Sequence, residues 1–148
     1  MDILMKRITL RLILTSLLTL VCNSSALADS SDDIVVVANV SHEQATLTRE
    51  QVRNLFMGAS VGYQLYPVAL PPQNRTRSLF NAKVIGMAES RIQSYWAQMK
   101  FTGRLTPPEE VRNEREMLAY LTHNKGSIGY LTADTELPED LVVLFSTD

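Results

Sequence analysis

One cysteine and two histidines make up the whole supply of thiol and imidazole metal ligands in this chain of 148 residues. The cysteine, Cys22, falls in the N-terminal segment, so the remainder has no disulfide and no thiol chemistry and must hold together by its core alone. His42 and His123 stand far apart, without a second histidine at helical spacing and without a glutamate partner, and that pattern is a poor fit to zinc. The six glycines are scattered, which leaves no loop able to cradle a nucleotide. Gly126-Ser127-Ile128-Gly129 does not have the G-x-S-x-G spacing of a nucleophile elbow. The carboxylates Glu109, Glu110, Glu114 and Glu116 read as a solvated helix face. Acid–base catalysis would need two of them in contrasting environments, and nothing in the sequence supplies that contrast. A non-enzymatic protein without cofactor or metal is the expectation.

The N-terminus carries a targeting signature. Lys6, Arg7 and Arg11 precede an apolar run at residues 12–21, and Ala26-Leu27-Ala28 fits a small-x-small cleavage site. The run is short for a membrane span, and the pattern is that of a secretory signal peptide over residues 1–28. Residues 29–148 then form one domain with a periplasmic location. Losing Asp2, Lys6, Arg7 and Arg11 with the leader takes the formal charge from −2 to −4. A mildly acidic domain is a poor candidate for binding nucleic acid, which calls for a basic surface.

The chain alternates between two periods. Residues 34–40 (I-V-V-V-A-N-V) are a nearly continuous β-branched run, suited to a strand covered on both faces as in a parallel sheet. Thr48 and Gln51 form a capping box at the head of a helix whose apolar stripe is Val52, Leu55 and Phe56, with Gly58 as its stop. Residues 66–70 read as a strand ended by Pro71-Pro72. Asn74 or Thr76 can cap the next helix, which carries Leu79, Phe80 and Val84 inward. A third helix over residues 89–99 places Ile92, Tyr95, Trp96 and Met99 on one core-facing side. Asn113 with Glu116 offers a further cap, ahead of Met117, Leu118 and Leu121. Residues 127–131 and 141–145 read as strands. The alternation argues for an α/β domain with a mainly parallel sheet and helices on both faces.

The most distinctive stretch is Gln73-Asn74-Arg75-Thr76-Arg77, polar and basic between an apolar strand and an apolar-faced helix. Unpaired N–H groups at a helix start attract anions, and guanidinium groups grip phosphate or carboxylate in a fork. Asn74, Arg75, Thr76 and Arg77 are therefore the candidate ligand-binding residues. Cations at a helix N-terminus oppose the helix dipole unless an anion or an acidic side chain offsets them.

Several pieces stand in order: L-T-R-E-Q-V-R-N-L-F-M-G (residues 47–58), Pro67-Val68, T-R-x-x-F (Thr76, Arg77, Phe80), W-x-x-x-x-F-T-G (residues 96–103), Pro107-Pro108 and G-S-I-G-Y-L (residues 126–131). Together they resemble the phosphate-binding proteins of phosphate ABC transporters, in particular their short single-lobe relatives. The resemblance implies a single lobe of the type 2 periplasmic-binding-protein fold, and phosphate or a similar small anion as ligand. The family's phosphate loop commonly reads G-S-G-T-R. Thr76 and Arg77 match it, and Asn74 stands where the family has serine, with an amide that can also donate. Gln73 and Arg75 replace the two glycines. The resemblance leaves a second role open: a protein-interaction module, accessory to a membrane sensor or to an export or adhesion system, that has lost its small ligand.

Overall fold

The computed structural model describes residues 32–41 and 46–148. The expected signal peptide at residues 1–28, Cys22 and His42 lie outside the described residues. Five strands form one sheet in the order β3-β2-β4-β1-β5: β1 (Ile34–Ala38), β2 (Tyr66–Ala69), β3 (Glu109–Glu110), β4 (Ser127–Thr132) and β5 (Val142–Ser146). Among the described residues four α-helices accompany them: α1 (Arg49–Phe56), α2 (Arg75–Phe80), α3 (Glu89–Phe101) and α4 (Glu114–His123).

The local signals act as expected at most helix ends. Thr48 Oγ1 accepts from Gln51 N and the Gln51 side chain accepts from Thr48 N, the reciprocal box that starts α1. Asn113 accepts from Glu116 N at the head of α4. Gly86, with φ of 70°, ends the segment after α2 in a left-handed turn that side chains resist. One feature departs from a plain helix: α2 runs on through a single π-helical segment, Asn81–Ile85, in which Gly86 N reaches back to Asn81 O.

The sheet is mixed, and this corrects the expectation of a mainly parallel one. β1 is antiparallel to both of its neighbours, β4 and β5. Parallel pairing is confined to β2 with β3 and β2 with β4. A continuous β-branched run reports burial on both faces, which β1 has along its whole length. It does not report direction, and an interior position between two antiparallel strands meets the same requirement.

Helices do cover both faces. Successive side chains of a strand point to opposite sides. On one side of β4, Tyr130 stacks on Phe80 of α2 with ring centroids 3.9 Å apart, and Phe56 of α1 meets both rings edge-on. On the other side, Gly129 lies against Met117 and Leu121 of α4 so closely that a Cβ there would come within 2.4 Å of Met117 Sδ. That close approach explains the glycine in a buried strand.

The Glu109 and Glu110 carboxylates correct another expectation. They form the two-residue edge strand β3 and do not share a helix face with Glu114 and Glu116. A pair of glutamates has no strand propensity to read. The pairing to β2 comes from the chain's return past Pro107-Pro108, with Val111 N donating to Ala69 O.

Candidate functional site

The four candidate residues come together at one corner of the sheet. Pro71-Pro72 ends β2 in a turn closed by Asn74 N to Pro71 O. Asn74 is the N-cap of α2, its Oδ1 accepting from Arg77 N at 3.2 Å. The start of α2 therefore sits beside the end of β2. It also lies near the start of β1, because Arg75 pairs with Asp32 there.

Each polar group of this corner has a partner within the chain. Asn74 Nδ2 and Thr76 Oγ1 both donate to Glu114 Oε1, at 2.9 and 2.8 Å. Arg77 is buried, with only 7% of its surface exposed. Its Nε and Nη2 donate to the two oxygens of Glu89 at 2.9 and 2.6 Å in a bidentate fork. Its Nη1 donates to Leu70 O and reaches Glu110 Oε2 at 3.5 Å. Asn81 and Gln93 add hydrogen bonds to Glu89. The exposed Arg75 is held by Asp32.

The electrostatics follow from where the two glutamates stand. Glu89 and Glu114 occupy the first turns of α3 and α4, where the helix dipole favours negative charge. Burial alone would raise the Glu89 carboxyl. Hydrogen bonds from Arg77, Gln93 and Asn81 outweigh it and hold its pKa below the ordinary carboxylate value. Burial likewise opposes the charge on Glu114, and Asn74, its own backbone N–H and Thr76 overcome that to lower its pKa. Both are anions at neutral pH. They supply the offset that cations at the start of α2 require.

Beside this corner opens a cleft of about 470 Å³. Its floor is the aromatic cluster of Phe56, Phe80 and Tyr130. One wall is the α3 stripe of Gln93, Trp96, Ala97 and Lys100. Pro107, Pro108, Glu110 and Arg77 also line the cleft. The Tyr130 hydroxyl accepts from Leu70 N at 3.0 Å. Burial pushes its phenol pKa up, so it stays neutral.

Glu89 and Asn81 were not among the residues singled out from the sequence, and Glu110 and Glu114, read there as part of a solvated helix face, belong to this corner instead. The signal that could have found Glu89 and Glu114 was the demand itself: two arginines at a helix N-terminus need acidic partners, and acids in the first turns of later helices are the ready source. Among the described residues no group of three or more His, Cys, Asp or Glu side chains could hold a metal ion. His123 closes α4 with its Nδ1 2.7 Å from Ala119 O.

No protein-family model matches the chain. No curated protein sequence matches it either. Among solved structures it is similar to an ABC-type phosphate transport receptor from Vibrio cholerae, with a TM-score of 0.56 and 17% sequence identity. The alignment covers 75% of this chain and 44% of the receptor, so the chain spans less than half of that protein's length. The likeness is one of fold.

Proposed function

We propose that this chain is an exported, non-enzymatic lobe of the type 2 periplasmic-binding-protein kind that works as a protein-interaction module. The observation that carries this reading is the state of the Asn74–Arg77 corner. Glu114 accepts the two side-chain hydrogen bonds that an oxyanion would take, and Glu89 fills the fork of Arg77. A phosphate entering there would have to displace Glu114 and would meet Glu89 and Glu110 as well. Bringing like charges together at short range in a partly buried site is costly. The neighbouring cleft is mostly apolar, lined by Phe56, Phe80, Tyr130 and Trp96, with a polar minority of Arg77, Asn81, Gln93, Lys100 and Glu110. That is the usual make-up of a surface that receives an apolar side chain of a partner. A membrane sensor, or an export or adhesion system, is the class of partner that suits an exported lobe of this kind.

A second reading is retained because Thr76 and Arg77 stand side by side at the start of α2 in a fold similar to that of a phosphate transport receptor. On it, Asn74, Arg75, Thr76 and Arg77 bind phosphate or a similar small anion when Glu114 swings away.

Melting of the purified protein with excess phosphate, against sulfate and chloride, separates the two. A ligand at ~100 times its Kd adds about 2.7 kcal/mol, which shifts the midpoint of a domain of this size by several degrees. The interaction reading expects no phosphate-specific shift. A shift of that size, lost in Arg75→Ala, would overturn it in favour of the anion receptor.

A further inference from the structure

We propose that the cleft is a self-docking surface, in which Phe101 of one copy enters the cleft of a second copy related by a two-fold axis. This rests on the reading of the cleft as an interaction surface and names its occupant.

Phe101 is 92% exposed. It is the last residue of α3, and it stands one helical turn beyond Ala97, which lines the cleft. Residues four apart share a helix face. The aromatic knob therefore projects from the rim of the same cleft whose floor is Phe56, Phe80 and Tyr130. A knob and a hole on one face permit a closed, isologous pairing: residue i meets residue j while j meets i. A knob and hole on different faces would instead build an open chain.

The charges at the rim fit the same symmetry. Lys100, on the α3 wall, makes no ion pair among the described residues. Glu110, of β3, is 53% exposed in its side chain and touches Arg77 only at 3.5 Å. A two-fold axis lying along the cleft mouth sets Lys100 of each copy against Glu110 of the other. Complementary charge of this kind fixes register more than it adds affinity. The buried ring supplies the affinity, as aromatic anchors in desolvated pockets do.

Sedimentation velocity of the purified protein, from low micromolar to near-millimolar concentration, tests this. The expected result is a concentration-dependent dimer. The emission of Trp96, the chain's one tryptophan and part of the cleft wall, should change along the same binding curve. Phe101→Asp should weaken the dimer at least about tenfold, since anchor residues cost more than a kcal/mol when lost. That residue has almost no contacts of its own to lose, so the variant keeps its fold. Lys100→Glu should weaken the dimer, and adding Glu110→Lys in the same chain should restore it, with melting midpoints confirming that each variant is folded. A monomer at every concentration overturns self-docking, as does a dimer indifferent to Phe101→Asp or a charge swap that fails to restore. A phosphate-specific melting shift is a separate result and bears on the interaction reading beneath it.

Discussion

The start of α2 and the end of α3 flank one cleft, yet they are opposites. At the start of α2 the polar groups are buried or half-buried and each is answered: Arg77 by Glu89, Thr76 and Asn74 by Glu114. At the end of α3 an aromatic ring stands in solvent, with Lys100 unpaired among the described residues. A receptor for a small anion would reverse this, leaving donors unanswered and apolar groups covered. Buried polar groups without partners cost several kcal/mol, and here side chains of the chain itself fill the donors. The apolar rim has no such internal remedy.

Breaking the answered corner should have the largest effect. Arg77→Met leaves Glu89 without its fork, and removing one member of such a pair costs about 3 kcal/mol. Glu89→Gln added to Arg77→Met removes the stranded charge and should recover part of that loss. Urea unfolding of the single and double variants measures both. If Arg77→Met were neutral, the corner would not be held by pairing.

Acid probes the same contrast. The folded pKa values of Glu89 and Glu114 lie below the ordinary carboxylate value. Their contribution is therefore fully present above the unfolded value and is lost as pH falls through the folded ones. The melting midpoint should drop as pH is lowered through the carboxylate range, and Glu89→Gln should flatten part of that drop. A profile unchanged by Glu89→Gln would place the acid sensitivity elsewhere.

A smaller effect is expected from Asn74→Ala, which removes the cap of α2 and one hydrogen bond to Glu114. Caps are worth about 1 kcal/mol, readable as a shift of the urea midpoint. The smallest belongs to the open rim. Phe101→Ser should change monomer stability by less than about 0.5 kcal/mol, measured at protein concentrations low enough to exclude association. A large loss there would mean that the ring is part of the core, and the contrast between the two regions would dissolve.

Much of this fold was legible because its signals are local. The Thr48–Gln51 box, the Asn74 and Asn113 caps, and the apolar runs of β1, β4 and β5 each declare themselves within a few residues. What could not be read depends on residues far apart. The direction of β1 is set by strands at the far end of the sequence. The edge strand at Glu109–Glu110 exists only because β2 is there to pair with it. The state of the anion-like corner was half legible. The arginines and the helix start were plain, and their conflict with the helix dipole pointed to an acidic partner. That Glu89 and Glu114 fill this role is a tertiary fact, since nothing near either residue in the sequence distinguishes it from Glu109 or Glu116.

The placement of β1 also governs how the chain can be assembled. Both ladders of β1 are made with β4 and β5, and Ile34 is tied to Thr147 across a separation of 113 residues. The most apolar strand is thus the first to leave the ribosome among the described elements and the last to find its neighbours. Such non-local pairing slows folding, because loop closure precedes any return in contacts. Until β4 arrives, Ile34-Val35-Val36-Val37-Ala38 is an unpaired, aggregation-prone segment, and until β5 arrives one of its edges stays open. A chaperone that shields this run during synthesis would raise the yield of folded protein more than one acting on any later element.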